Sequence, residues 1–161
     1  MRQFGYSIFQ KISFLGFLII LLLSACGENS FYDHNIDVAD PWESDNIIDF
    51  EVPVHDTINP FNFYINIRNT TDYKYSNVYL FIRTDFPNGQ YAIDTAEIFL
   101  ADVQGNWLGK GLGKYKDTQI LFRKRGRFPF TGVYHISFQQ AMRENALLGI
   151  KSVGIRIEKT K

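Results

Sequence analysis

The chain has 161 residues, of which 45% are hydrophobic and 16% aromatic, a composition that can bury a core and excludes wholesale disorder. It has 17 basic and 17 acidic residues, and Arg2 and Lys11 precede residue 26, so the rest of the chain carries 15 against 17. This near-neutral balance gives no case for a general nucleic-acid-binding protein. The one cysteine, Cys26, excludes internal disulfides and cysteine-based zinc clusters.

The first 25 residues have the layout of a secretory leader. Arg2 and Lys11 form a short basic region, and residues 12–23 form an apolar run. A membrane-spanning helix needs about 20 apolar residues, so this shorter run is typical of a signal-peptide core.

The residues Leu-Ser-Ala-Cys at 23–26 match the bacterial lipobox. We therefore predict a lipoprotein signal peptide over residues 1–25, cleavage before Cys26 and lipid attachment to its sulfur. A retained N-terminal helix, or an ordinary signal peptide with a chance cysteine, is the alternative. No Asp follows Cys26, where some bacteria read an inner-membrane retention signal, and no acidic cluster of the surface-export type follows it either. This favours an outer-membrane lipoprotein that faces the periplasm.

Residues 26–46 are polar, acidic and without clear periodicity, which predicts a flexible tether. Asp-Pro-Trp at 40–42 is a turn signal, and Trp42 is expected to pack onto the domain edge, with a ligand contact as the alternative. Residues 28–56 hold nine acids and no Lys or Arg, whereas residues 110–127 hold seven bases and one acid. The two segments could attract each other, but solvation of both is the simpler interpretation because exposed ion pairs contribute little.

From residue 47 onward, apolar and polar residues alternate with the period of half-buried strands. The run at 77–86 is apolar on both faces, which predicts a central strand, and Pro-Asn-Gly at 87–89 predicts a hairpin. Residues 139–147 are the one helix candidate, with Gly149 as its end. Strands are predicted at residues 48–55, 61–68, 77–86, 91–101, 119–123, 128–139 and 150–158.

This pattern predicts an all-β fold, a single antiparallel β-sandwich domain over residues 47–161 with one short helix. Strands and helices do not alternate, so a parallel sheet is not expected. The glycine-rich segment 104–116 lacks the spacing and the strand–helix setting of a phosphate-binding loop. It is expected to be a flexible loop that carries Trp107 to the core or to a partner.

Catalytic chemistry has little support in the sequence. His34, His55 and His135 form no short-range metal pair, and no nucleophile-elbow motif is present. A fold could still unite His55 and Asp56 with His135, which leaves a hydrolase as a minor alternative. We predict no catalytic residue, no metal site and no cofactor, and a binding or structural role in place of an enzymatic one.

Three stretches carry a family resemblance. Residues 56–73 (DTINPFNFYINIRNTTDY) lead into 75–82 (YSNVYLFI), and GIKSVGIRI stands at 149–157. Together with the lipobox at 23–26, they resemble the gliding-motility lipoprotein GldH family of the Bacteroidetes, over essentially the whole mature chain. The matching motifs are structural and not catalytic.

The resemblance implies an outer-membrane-associated lipoprotein needed for gliding, a non-catalytic component with no cofactor. Its implied partners are the membrane, through the lipid, and other envelope proteins of the gliding and type IX secretion machinery; members also occur in species that do not glide. The alternative is a lipid-anchored glycan- or ligand-binding sandwich that uses Tyr64, Trp107 or other exposed aromatic residues. The sequence names neither the direct partner nor the oligomeric state.

Two short motifs suggest a modification. Asp-Thr-Ile at 56–58 and Asp-Thr-Ala at 94–96 resemble the acceptor motif of Bacteroidetes protein O-glycosylation. Thr57 and Thr95 are therefore candidate O-glycosylation sites. Such short motifs also occur by chance.

Overall fold

The structure is a computed structural model that describes residues 30–160, which form strands joined by turns and loops. The predictions for residues 1–25 and for Cys26 lie outside the described residues. Within the described part, no helix is long and apolar enough to cross a membrane. The strands are β1 (Ser30–Asp37), β2 (Trp42–Glu43), β3 (Ile48–Val54), β4 (Phe61–Thr70), β5 (Asn77–Asp85), β6 (Tyr91–Phe99), β7 (Tyr115–Gly126), β8 (Gly132–Gln140), β9 (Ala146–Leu147) and β10 (Ile150–Lys159).

These strands form two four-stranded antiparallel sheets and a small ribbon. The first sheet has the strand order β1-β10-β4-β7, and the second has the order β3-β8-β5-β6. Strands β2 and β9 pair as the ribbon. The two sheets pack face to face, so the predicted antiparallel β-sandwich is confirmed.

The core lies between the two sheets and is built by the period-2 pattern. Along β3, burial alternates at every residue, with Ile48, Phe50, Val52 and Val54 inside. Each such side chain contributes roughly 1.5–3 kcal/mol when it is removed from water. The largest fully buried side chains are Trp42, Phe50, Phe61, Ile67, Leu80, Ile98, Leu100, Tyr134, Phe138, Leu147, Ile150 and Ile157.

The central strand and the hairpin lie where the sequence predicts them. Strand β5 has β8 on one side and β6 on the other. In the β5–β6 turn, the Phe86 N–H donates to the Gln90 carbonyl at 2.8 Å, and Gly89 takes a φ of 83°. A positive φ is a conformation that glycine adopts without a steric cost.

The predicted helix at 139–147 is wrong. Strand β8 runs on to Gln140, and a turn then leads to β9. The buried Gln140 amide donates to the carbonyls of Glu144 and Asn145, at 2.9 and 3.1 Å, and accepts from the Met142 N–H. These bonds hold the chain in a turn, and Leu147 is fully buried in the core, so tertiary contacts override the local helix preference.

The predicted flexible tether is also wrong for residues 30–46. Strand β1 pairs with β10 along its length, and its Tyr32 and Ile36 pack against the core. Two of the acids that suggested a solvated segment form ion pairs, since Arg156 Nη1 lies 2.5 Å from Asp33 Oδ2 and Lys151 pairs with Asp40. Residues 26–29 lie outside the described part.

Candidate binding surfaces

The outer face of the first sheet is polar. Its side chains come from alternate residues of four neighbouring strands, because successive residues of a strand point to opposite faces. At one level of the register lie Asn35, Gly154, Asn66 and Gln119, in the order of the strands. We call Asn35, Asn66 and Gln119 the amide ladder, since Asn66 Nδ2 donates to Asn35 Oδ1 at 3.1 Å and Gln119 Nε2 donates to Asn66 Oδ1 at 2.9 Å.

The outer face of the second sheet is partly apolar. Tyr79 and Phe81 point outward from β5, Ile93 and Phe99 point outward from β6, and Ile47 precedes β3. These five residues, which we call the apolar face, are between 37% and 59% exposed. Apolar side chains gathered on one face are typical of an interaction surface, whereas single exposed ones are ordinary.

The charged side chains on that sheet face are mostly acidic. Asp49, Glu51, Asp85 and Glu97 point outward beside the one guanidinium of β5, that of Arg83. Arg83 is already paired, because its Nη2 lies 2.7 Å from Asp85 Oδ1. The apolar face is therefore bordered by carboxylates.

The two sheets leave a small cleft between the edges of β6 and β7. Arg123 Nη2 and Asp94 Oδ2 face each other across it at 3.6 Å. The cleft has a volume of about 120 Å³ and is lined mainly by apolar side chains, including Phe63, Phe122 and Phe128. This volume is well below the roughly 300–1,000 Å³ of a pocket for a drug-sized ligand.

The histidines do not come together. His135 lies opposite Glu51 on the outer face of the second sheet, with 4.0 Å between Nδ1 and Oε1, and His55 is exposed just after β3. The Asp56 carboxylate is engaged elsewhere, since it accepts from the Asn59 N–H at 3.0 Å and from Lys159 Nζ at 2.9 Å. These bonds hold the pKa of the Asp56 carboxyl well below its usual range. Across residues 30–160, no group of three or more His, Cys, Asp or Glu side chains could hold a metal ion.

The candidate acceptor threonines lie in different settings. Thr57 is half-buried in the turn after β3, where the Asp56 carboxylate holds the backbone by accepting from the Ile58 and Asn59 N–H groups. Thr95 is exposed on β6, opposite Phe81 of the apolar face. Each motif therefore keeps its threonine outside the core.

The two tryptophans pack inward. Trp42 is fully buried, and its Nε1 donates to the Asn46 carbonyl at 2.8 Å, so the expected packing contact is confirmed and is deeper than an edge contact. Trp107 is half-buried against the core and pairs with Ala101 through an isolated bridge. The glycine-rich loop therefore brings Trp107 to the core, while Tyr64 lies on the outer face of the first sheet.

Sequence reasoning missed both surfaces as assemblies. The outward positions of each strand are visible as the polar half of the alternation, but the register that places Asn35 beside Asn66 joins residues 31 positions apart. The signal that was present is the alternation Asp33, Asn35, Asp37 against Tyr32 and Ile36, which marks β1 as a strand.

Comparison with known proteins identifies the family. The model of the GldH lipoprotein family matches residues 30–157. A protein of Christiangramia forsetii named gliding motility lipoprotein GldH homolog is 36% identical over 154 residues, which cover 91% of this chain and 94% of that protein. The gliding motility lipoprotein GldH of Flavobacterium johnsoniae is 30% identical over 148 residues, or 88% of this chain and 92% of that protein.

Among solved structures, dimeric latent PorU of Porphyromonas gingivalis aligns with 82% of this chain and 13% of its own chain, at 10% identity. The TM-score of 0.34 is too low for this likeness to carry an argument about fold or function. The family model matches residues 30–157, which is nearly all of the sandwich described above. The chain belongs to the GldH lipoprotein family.

Proposed function

We propose that this chain is a lipid-anchored, non-catalytic docking component of the gliding-motility and type IX secretion-associated envelope machinery. Its anchor is the lipidated Cys26 at the outer membrane, and its sandwich faces the periplasm. Membership of the GldH lipoprotein family and the names of the two relatives support this role. The observation that carries it is the apolar face, because a docking component needs a surface that excludes water when a partner covers it.

The border of the apolar face defines the chemistry of the partner. Phe81 and Ile93 offer apolar contact area, while Asp49, Glu51 and Glu97 present carboxylates around them. Complementary charge orients a partner and speeds its association. The occupant is therefore a segment of another envelope protein whose aliphatic or aromatic side chains are flanked by Lys or Arg.

Motility in the native host tests this role. Ile93→Glu places a further carboxylate in the apolar face, and we expect loss of colony spreading or of type IX-dependent secretion, as in a deletion strain. Leu112→Glu is the matched control, because Leu112 is 96% exposed and belongs to the glycine-rich loop and not to that face. Both variants must be present in membranes at the wild-type level. Normal spreading and secretion in the deletion strain would contradict the proposal.

Site-specific photocrosslinking tests the contact itself. A photoreactive residue at position 93 should capture a component of the envelope machinery, and Phe81→Glu should abolish the product. The same residue at position 103 is the control, since Val103 is 97% exposed but lies in a loop outside the apolar face. The crosslinked peptide of the partner must contain apolar residues flanked by Lys or Arg. Capture of a second copy of this chain, or equal capture at position 103, would overturn the assignment.

We also propose O-glycosylation, with Thr57 as the favoured acceptor. Thr57 lies in a turn, whereas a glycan on Thr95 would cover part of the apolar face. Intact-mass measurement of the native protein, before and after Thr57→Val, gives the test. A mass equal to polypeptide plus lipid would rule the modification out.

A further inference from the structure

The amide ladder crosses the full width of the first sheet. Asn35 lies on β1, Asn66 on β4 and Gln119 on β7, and these three side chains are joined by two hydrogen bonds. Neighbouring strands are about 4.8 Å apart, so the ladder spans roughly 14 Å from its first strand to its last. A row of neutral amides of this length on an exposed sheet face offers hydrogen-bond donors and acceptors along one line.

Gly154 makes the ladder possible. It occupies the β10 position between Asn35 and Asn66, and a Cβ added there would lie 2.0 Å from Asn35 Oδ1. Any side chain at this position would therefore separate the two amides. Because glycine has no side chain, the Asn35 amide can lie flat across β10, and the outer face is level at that point.

A depression of about 330 Å³ adjoins the ladder. Its charged side chains are largely neutralised, because Arg68 makes a bidentate pair with Asp117 at 2.6 and 3.1 Å. Asp37 adds a further negative charge at its rim. The lining residues are Asn35, Asp37, Asn66, Ile67, Arg68, Asp117, Thr118, Gln119 and Ser152.

Tyr64 extends the site on the other side of the ladder. It lies two residues from Asn66 on β4 and points to the same face, about 7 Å away along the strand. Its neighbours across the sheet are Arg156 and Leu121. An aromatic ring beside neutral amides combines a flat apolar surface with hydrogen-bonding groups.

We propose that this face binds a neutral glycan, with the amide ladder bonding to its hydroxyl or acetamido groups and Tyr64 packing against a sugar ring. Within the ladder, Asn35 uses its Oδ1 and Gln119 uses its Nε2, so the Nδ2 of Asn35 and the Oε1 of Gln119 are the groups at its two ends that can bond to a sugar. An anionic ligand fits poorly, because Asp117 neutralises Arg68 and Asp37 is negative. This site lies on the opposite sheet from the apolar face and goes beyond the docking role.

Calorimetric titration of the full-length lipidated protein tests the proposal. The protein is held in a polyoxyethylene detergent, because maltoside detergents are themselves sugars. The probes are a tetramer of N-acetylglucosamine and a tetramer of glucose, which differ in the acetamido group, with inorganic phosphate as the anionic comparison. We expect saturable binding of at least one tetramer and none of phosphate.

The variants locate the binding. Asn66→Ala and Gln119→Ala should each weaken tetramer binding by about tenfold. The first removes the amide that holds both ends of the ladder in line, and the second removes an end that bonds directly to the sugar. Gln104→Ala is the matched control, an exposed amide in the loop after β6. All three should melt at the wild-type temperature, and Asn66→Ala should leave the crosslink at position 93 intact, which separates this site from the docking role.

Three outcomes would overturn the assignment. The first is the absence of binding by both tetramers. The second is binding that persists unchanged in both Asn66→Ala and Gln119→Ala. The third is phosphate binding that competes with the sugar.

Discussion

At the scale of single residues, Asp40 has more contacts than its place in an acidic segment suggested. Its Oδ1 accepts from the Gly149 N–H at 3.0 Å, and its Oδ2 pairs with Lys151 Nζ. These contacts join the connection between β1 and β2 to the start of β10, 109 residues away for Gly149. The hydrogen bond from Lys151, followed by that from Gly149, lowers the pKa of the Asp40 carboxyl.

The lowered pKa of Asp40 predicts how the free energy of unfolding depends on pH. Because the pKa is lower in the folded state, the carboxylate stabilises the fold above its unfolded pKa, about 3.9, and loses that contribution as pH falls through the folded pKa. Asp40→Asn should reduce the free energy of unfolding by about 1 kcal/mol at neutral pH, discounted for partial exposure, and the difference should shrink under acid. Urea unfolding at several pH values measures it, with Asp72→Asn in an exposed turn as the control. A difference that stays constant into strong acid would contradict the role of the charge.

At the scale of elements, β1 is an edge strand of the first sheet and pairs only with β10 within that sheet. The register pairs Asn35 with Gly154, and a Cβ at that position would lie 2.0 Å from Asn35 Oδ1 and 2.6 Å from the His34 carbonyl oxygen. The second contact involves backbone, which cannot rotate away. The close approach of β1 to β10 therefore depends on glycine at this position, without any need for a positive φ.

Gly154→Ala tests this close approach. Overpacking of this kind costs about 1–3 kcal/mol, and we expect faster amide hydrogen exchange in β1 together with a lower free energy of unfolding. The double variant Asn35→Ala, Gly154→Ala removes the side-chain clash but not the backbone one. Its loss should therefore be smaller than the sum of the two single losses. Strict additivity, or a neutral Gly154→Ala, would show that β1 has room to spare.

At the scale of the whole molecule, the sandwich presents two unlike outer faces. One carries the amide ladder of Asn35, Asn66 and Gln119, and the other carries the apolar face around Phe81 and Ile93. Because the two sites lie on opposite faces of the sandwich, a ligand on one face does not obstruct a partner on the other. The two sites can therefore be occupied together. Strand β1 begins at Ser30, four positions along the chain from the predicted lipid site at Cys26.

Cys26→Ala tests the anchor of the molecule. Two or three acyl chains, at about 0.8 kcal/mol per buried CH₂ group, hold a protein far more firmly than one chain does. We expect the variant either to leave the membrane fraction or to keep its uncut leader, as read by fractionation and intact mass. Ser30→Ala, at the first residue of β1, should remain lipidated. A processed Cys26→Ala protein that still fractionates with membrane would exclude Cys26 as the attachment site.

Several elements follow from local sequence because their physics is local. The alternation of Ile48, Phe50, Val52 and Val54 predicts a half-buried strand in any setting, and Pro-Asn-Gly at 87–89 predicts a tight turn. The family resemblance was likewise carried by short stretches, and the comparisons confirm it. The predictions for residues 30–37 and 139–147 were wrong because the conformation of these segments depends on contacts with residues elsewhere in the chain.

The sequence by itself determined the all-β class, the central strand, the hairpin and the family, since each depends on residue types and on spacings of a few residues. Only the tertiary structure decided that β1 joins the first sheet, that Gln140 holds a turn where a helix was expected, and that Asn35, Asn66 and Gln119 meet. Those features depend on strand register, which pairs residues from 31 to 53 positions apart in the amide ladder alone. Register is set by which side chains fill the common core and by where a residue such as Gly154 leaves space, and neither is visible in a local window.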